Sequence, residues 1–132
     1  MKRKLLTALL VAAASPSLAQ LELKKGDHIS IIGNTLADRL QHDGTLEAMI
    51  HHAFPQLDLS VRHLGFAADE LTIRQRSENF GSPEQWLKKT KADVVFALFG
   101  FNESFHGPEG LEKFQADLDK FLKETKGANY SG

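Results

Sequence analysis

Residues 31–40, IIGNTLADRL, pass from an apolar run through Gly33-Asn34-Thr35 into a pattern with helical spacing. Working outward, residues 28–32 read as a strand, because Ile29, Ile31 and Ile32 are β-branched and Gly33 closes the run. Two later stretches end the same way. Residues 57–64 alternate apolar and polar and stop at Gly65, and residues 92–99 (ADVVFALF) are almost continuously apolar and stop at Gly100. Apolar runs without alternation suit strands of a parallel sheet, covered on both faces.

Helical patterns separate the strands. Gly44 is expected to interrupt the first, leaving a short turn over 36–40 and a main helix from Thr45, with Leu46, Ile50, Ala53 and Phe54 at helical spacing and Pro55 as its stop. A second helical stretch is expected over 70–76. Ser82-Pro83-Glu84-Gln85 reads as a helix start, with serine as cap and proline in the first turn. Leu111, Phe114, Leu118, Phe121 and Leu122 mark an amphipathic helix. Trp86 and Phe114 are expected in the core, and Lys88, Lys89 and Lys91 at a solvated helix end. The order β-α-β-α-β-α implies a parallel sheet with helices on both faces and all three strands ending at one edge, where such folds bind ligands.

The chain has 132 residues and no cysteine, which bounds it to one modest domain without a disulfide framework or thiolate metal site. Lys2, Arg3 and Lys4 followed by the apolar stretch 5–14 and by Ser17-Leu18-Ala19 have the form of a signal peptide, with cleavage expected after Ala19. The protein is thus expected to be secreted or periplasmic, with 1–19 as leader and 20–132 as the folded part. Without the leader, 13 basic residues face 17 acidic ones, a net charge of −4 with neutral histidines. No basic stripe exists, which argues against nucleic-acid or anionic-membrane partners. His51 and His52 are adjacent and diverge on a helix, and no spaced His/Asp cluster suggests a metal.

Each strand-end glycine is followed by groups suited to an oxyanion. Thr35 brings a hydroxyl, Gly65 a backbone N–H and Asn102 an amide, and Thr35, Gly65 and Asn102 are expected to cluster at the carboxyl edge. Milder readings stand beside these. Thr35 is also a good helix N-cap, Asn102 a good turn residue, and Glu103 either orients Asn102 or faces water. Asp43 is expected to cap the helix after Gly44. His106, in Glu103-Ser104-Phe105-His106, is either a loop histidine or a base near the site.

In these three places the chain resembles the SGNH or GDSL-type hydrolases. Their Gly-Asp-Ser falls on Gly33-Asn34-Thr35, their second-motif glycine on Gly65 in RHLGFAADEL, and their Gly-x-Asn on Gly100-Phe101-Asn102 in FGFNES. The resemblance spans about residues 26–125. It implies a three-layer α/β/α, flavodoxin-like fold and an ester hydrolase with Thr35 at the nucleophile position and Gly65 and Asn102 as oxyanion hole. Gly33, Asn34, Gly100 and Glu103 would then bind the substrate. It implies no cofactor and an ester substrate, including acetylated polysaccharide. The chain departs from the pattern in Asn34 for aspartate, Thr35 for serine and His63 for asparagine. The family's Asp-x-x-His has no counterpart after Leu122, and further strands and domains are expected to follow Gly132. A non-catalytic relative that binds a glycan or acyl ligand is the alternative. Receiver, dinucleotide and phosphate-loop signatures are absent.

Overall fold

A computed structural model describes residues 21–131, and the expected leader, 1–19, lies outside them. Three strands, β1 (His28–Gly33), β2 (Ser60–His63) and β3 (Val94–Leu98), form a parallel sheet in the order β2-β1-β3. The outer two strands are shorter than the apolar runs that announced them.

Among the described residues four α-helices connect and flank the strands: α1 (Thr35–Asp43), α2 (Thr45–Ala53), α3 (Pro83–Lys89) and α4 (Leu111–Gly127). Alternation along β1 divides the interior. Ile29 and Ile31 join Ala37, Ile50 and Val61 under α1 and α2, while Ile32 joins Leu87 and Phe121 under α3 and α4. The sheet therefore carries helices on both faces, as the β-α order requires.

Several local expectations change. Residues 36–40 are not a short turn: α1 is a helix of nine residues, and Gly44, at φ 65°, breaks the chain between α1 and α2 rather than within either. A left-handed residue closes one helix there, the position that suits glycine best. Asp43 is not the cap residue of α2, which is Gly44, yet its carboxylate accepts the Thr45 N–H at 2.8 Å. Residues 70–76 form no helix. Ser82 does cap α3, in a reciprocal box in which its hydroxyl accepts the Gln85 N–H and the Gln85 side chain accepts the Ser82 N–H. Trp86 is half-buried, and the core residue of α3 is Leu87. On α4, Phe114, Leu118 and Phe121 face inward, while Leu111 and Leu122 stay exposed.

β3 departs from the fully covered strand that its composition suggests. Val94, Val95, Phe96 and Leu98 are half-buried and Ala97 is exposed. Its outer edge pairs with no strand among the described residues. An uncharged edge strand without proline is a template for further pairing. Residues 20–132 are expected to elute as oligomers in size-exclusion chromatography, and a clean monomer melting cooperatively would refute this.

The start of β1 is pinned to the turn before β3. Asp93 Oδ2 accepts the His28 N–H at 2.9 Å and lies 3.2 Å from His28 Nδ1. The backbone N–H of His28 holds the Asp93 carboxyl below its ordinary value of 3.8, and partial burial opposes this. A lowered folded pKa gives stability above the unfolded value that is lost as pH falls through the folded one. Asp93→Asn should cost about 1 kcal/mol or less at neutral pH. Urea melts should show the gap to wild type closing below pH 3.8.

Candidate functional site

The three strand ends are stitched together by their backbones. Gly33 has φ 136°, and a Cβ there would lie 2.2 Å from the Leu98 carbonyl oxygen. That carbonyl accepts the Asn34 N–H at 3.2 Å, and on the other side Gly33 O accepts the Phe66 N–H at 3.0 Å. A Cβ on Gly65 would meet Ala37 Cβ at 2.4 Å, so the end of β2 lies against the first turns of α1. Glycine at 33 and 65 is what permits this close approach.

Asn34, not Thr35, is the N-cap of α1. Its Oδ1 accepts the Leu36 N–H at 3.4 Å, and Thr35 is the first helical residue. The capping interpretation of Thr35 is thereby corrected, and its half-buried side chain is left without that duty. Asn34 is almost fully buried, and its Nδ2 has no hydrogen-bond partner among the described residues.

Glu103 makes no hydrogen bond to the Asn102 side chain, and it is half-buried at the wall of a cleft. Its Oε1 accepts the Leu71 N–H and its Oε2 the Gly100 N–H, both at 2.9 Å, which ties the loop after β2 to the loop after β3. The acidic residue expected to bind substrate thus also clamps two loops of the site together. Asn102 makes a second tie, its Nδ2 donating to the Asp69 carbonyl at 3.4 Å. That bond is at the long limit, and a better acceptor would compete with it. His106 ends the 3₁₀ turn Glu103–His106 and is exposed.

Two clefts open beside these loops. One, of about 510 Å³, is lined by Glu70, Ile73, Glu103, His106, Lys113 and Phe114. The other, of about 270 Å³, is lined by Asp38, Gln41, Gly65, Phe66, Arg76, Phe80 and Trp86, among others. Gly65 belongs to the second and His106 to the first, so the two do not share a wall. Neither cleft is lined by Thr35 or Asn102. The glycine-led loops thus meet at one edge; His106 opens onto a different cleft from the Gly65 N–H, whereas His63, its Nδ1 without a hydrogen-bond partner among the described residues, lines the same cleft as Gly65.

The second cleft contains residues that sequence reasoning passed over. Asp69 is buried and holds Arg76 through two bonds, Oδ1–Nη1 at 2.8 Å and Oδ2–Nη2 at 2.7 Å. The guanidinium also lies 4.5 Å from the Phe66 ring centroid. Phe80 and Trp86 stack with centroids 5.2 Å apart, and the Trp86 indole N–H donates to Phe80 O at 2.8 Å. The available signal was compositional: arginines and aromatics crowd the long connection after Gly65 at the ligand edge. The chain matches no protein-family model, and neither curated proteins nor solved structures give a significant match to it.

Proposed function

We propose that this chain is an SGNH-type ester hydrolase domain acting on esters of secreted or surface material, acetylated sugars included. The observation that carries this reading is the meeting of three glycine-led loops at the carboxyl edge of a parallel sheet ordered β2-β1-β3. Flavodoxin-like sheets begin in that order, with their ligand crevice between the first and third strands. Thr35 follows the first of these and Asn102 the third. Thr35 would be the nucleophile, and the Gly65 N–H and Asn102 amide would stabilise the tetrahedral oxyanion. Asn34 helps by freeing Thr35 from capping.

A hydroxyl near its ordinary pKa needs a positioned base to attack an ester at neutral pH. The acid-x-x-His spacing of Glu103-Ser104-Phe105-His106 puts His106 on the larger cleft, away from Gly65. That observation favours the second reading, a non-catalytic SGNH-fold module that keeps the pocket and binds a glycan or acyl ligand.

Hydrolysis of p-nitrophenyl acetate separates the two. Oxyanion donors alone sustain slow turnover, so the expected result is a small rate above buffer. Asn102→Ala should lower the enzyme-dependent part by roughly 10²-fold. Thr35→Ala should lower it less, because without its base the hydroxyl contributes little. No rate above buffer would leave the binding module. Rapid multiple turnover abolished by both Thr35→Ala and His106→Ala would mean that His106 is the base after all.

A further inference from the structure

The cleft of about 270 Å³ has a chemistry of its own. Both guanidiniums facing it have a carboxylate partner, Arg76 in Asp69 and Arg74 in Glu84 at 3.0 Å, while Arg74 Nη1 is buried without a hydrogen-bond partner among the described residues. Each guanidinium's charge is thus already balanced by a carboxylate, and what the cleft lacks is an acceptor for Arg74 Nη1. Gln41 Nε2 donates to Asp38 Oδ1 at 2.9 Å, which sets a carboxylate acceptor beside an amide. Phe80 and Trp86 line the same cleft, their rings 5.2 Å apart and tilted by 33° to each other. A wholly apolar ligand would fill the aromatic side but strip water from Asp38 and Gln41 without replacing its hydrogen bonds. The ligand that satisfies both sides is neutral, with one face of C–H groups and hydroxyls around its rim.

We propose that this cleft is a pyranose subsite. The sugar's C–H face lies on Phe80 and Trp86, and adjacent hydroxyls bridge Asp38 and Gln41, with a further hydroxyl accepting from Arg76. The volume sits at the small end of ligand pockets and suits one ring rather than a long chain. Gly65 lies in the same wall, so a sugar seated here carries an ester substituent toward the Gly65 N–H. This last step rests on the hydrolase reading above, whereas the binding of the ring does not.

The test is an ¹H–¹⁵N NMR titration of the protein with methyl β-D-xylopyranoside, methyl β-D-glucopyranoside and methyl β-D-galactopyranoside, with cyclohexanol and benzoate as controls. The expected result is a saturable shift of the Gln41 side-chain amide, the Trp86 indole and the Gly65 amide with at least one glycoside. Gln41→Ala and Phe80→Ala should each weaken that binding about tenfold. Gln41 is exposed, so its variant keeps the fold even if Phe80→Ala loosens it. The proposal is overturned if no glycoside gives a saturable shift, if Gln41→Ala binds as wild type does, or if a control binds as tightly as the best glycoside. Glycoside binding without ester turnover would sink the hydrolase reading and leave the subsite standing. Ester turnover without glycoside binding would do the reverse.

Discussion

Gly33→Ala should be the most damaging single substitution in this domain, costing about 3 kcal/mol or more. Its φ of 136° lies where a side chain is strained, and the added Cβ would sit 2.2 Å from the Leu98 carbonyl oxygen. The clash is with backbone, so no rotamer change relieves it, and β1 must part from β3 where the Asn34 N–H reaches the same carbonyl. For a domain of this size the midpoint should fall by roughly 12 °C or more. Gly127→Ala is the control, since a Cβ there meets nothing within 4 Å at the end of α4. It should melt at or slightly above wild type. Equal melting of Gly33→Ala and wild type would mean that β1 and β3 do not meet as described.

A comparable loss is expected from Asp69→Ala. The Asp69 side chain is 4% exposed and that of Arg76 10%, so removing the carboxylate strands a guanidinium away from water. Breaking a buried pair from one side costs about 3–5 kcal/mol. Asp69→Asn keeps an acceptor and should cost less, and the double variant Asp69→Ala/Arg76→Leu should recover part of the loss. Denaturant melts of wild type, Asp69→Ala, Arg76→Leu and the double variant give the coupling directly. The loop carrying Asp69 also holds the Asn102 amide and the Glu103 carboxylate through Asp69 O and Leu71 N. Asp69→Ala should therefore loosen the site as well as the fold, whereas an additive double variant would deny the pair any coupling.

What could be read from the sequence follows what is encoded locally. β1 was legible because its β-branched residues and its terminal glycine lie within six residues. α3 was legible because Ser82, Pro83 and Gln85 complete their cap within one turn. Residues 70–76 misled because Leu71, Arg74 and Arg76 are held by distant partners: the Glu103 carboxylate, the rings of Phe99 and Phe121, and buried Asp69. Tertiary bonds hold that stretch without a helix. The length of α1 was missed because Gly44 was read as an interruption rather than as a boundary shared by two helices.

The site divided in the same way. Glycines that end strands announce a ligand edge, since chain direction alone brings those ends together. Which side chains then face one another depends on packing across the edge. Spacing in Glu103-Ser104-Phe105-His106 could not reveal that Glu103 would clamp two backbone N–H groups. Nor could it assign His106 to the larger cleft. The aromatic wall of the smaller cleft needs Phe80 and Trp86 on opposite sides of Gly81, where a Cβ would lie 2.9 Å from Gln85 Oε1.

On the function proposed above, the loops after β1, β2 and β3 share one oxyanion site. A tetrahedral anion that needs no catalytic base tests it most directly: methylphosphonate titrated into ¹⁵N-labelled protein. The backbone amides of Thr35 and Gly65 and the side-chain amide of Asn102 should shift together with a single dissociation constant. Asn102→Ala should weaken all three responses. Shifts confined to Glu70, His106 and Lys113 around the larger cleft, or separate constants for Gly65 and Asn102, would contradict it.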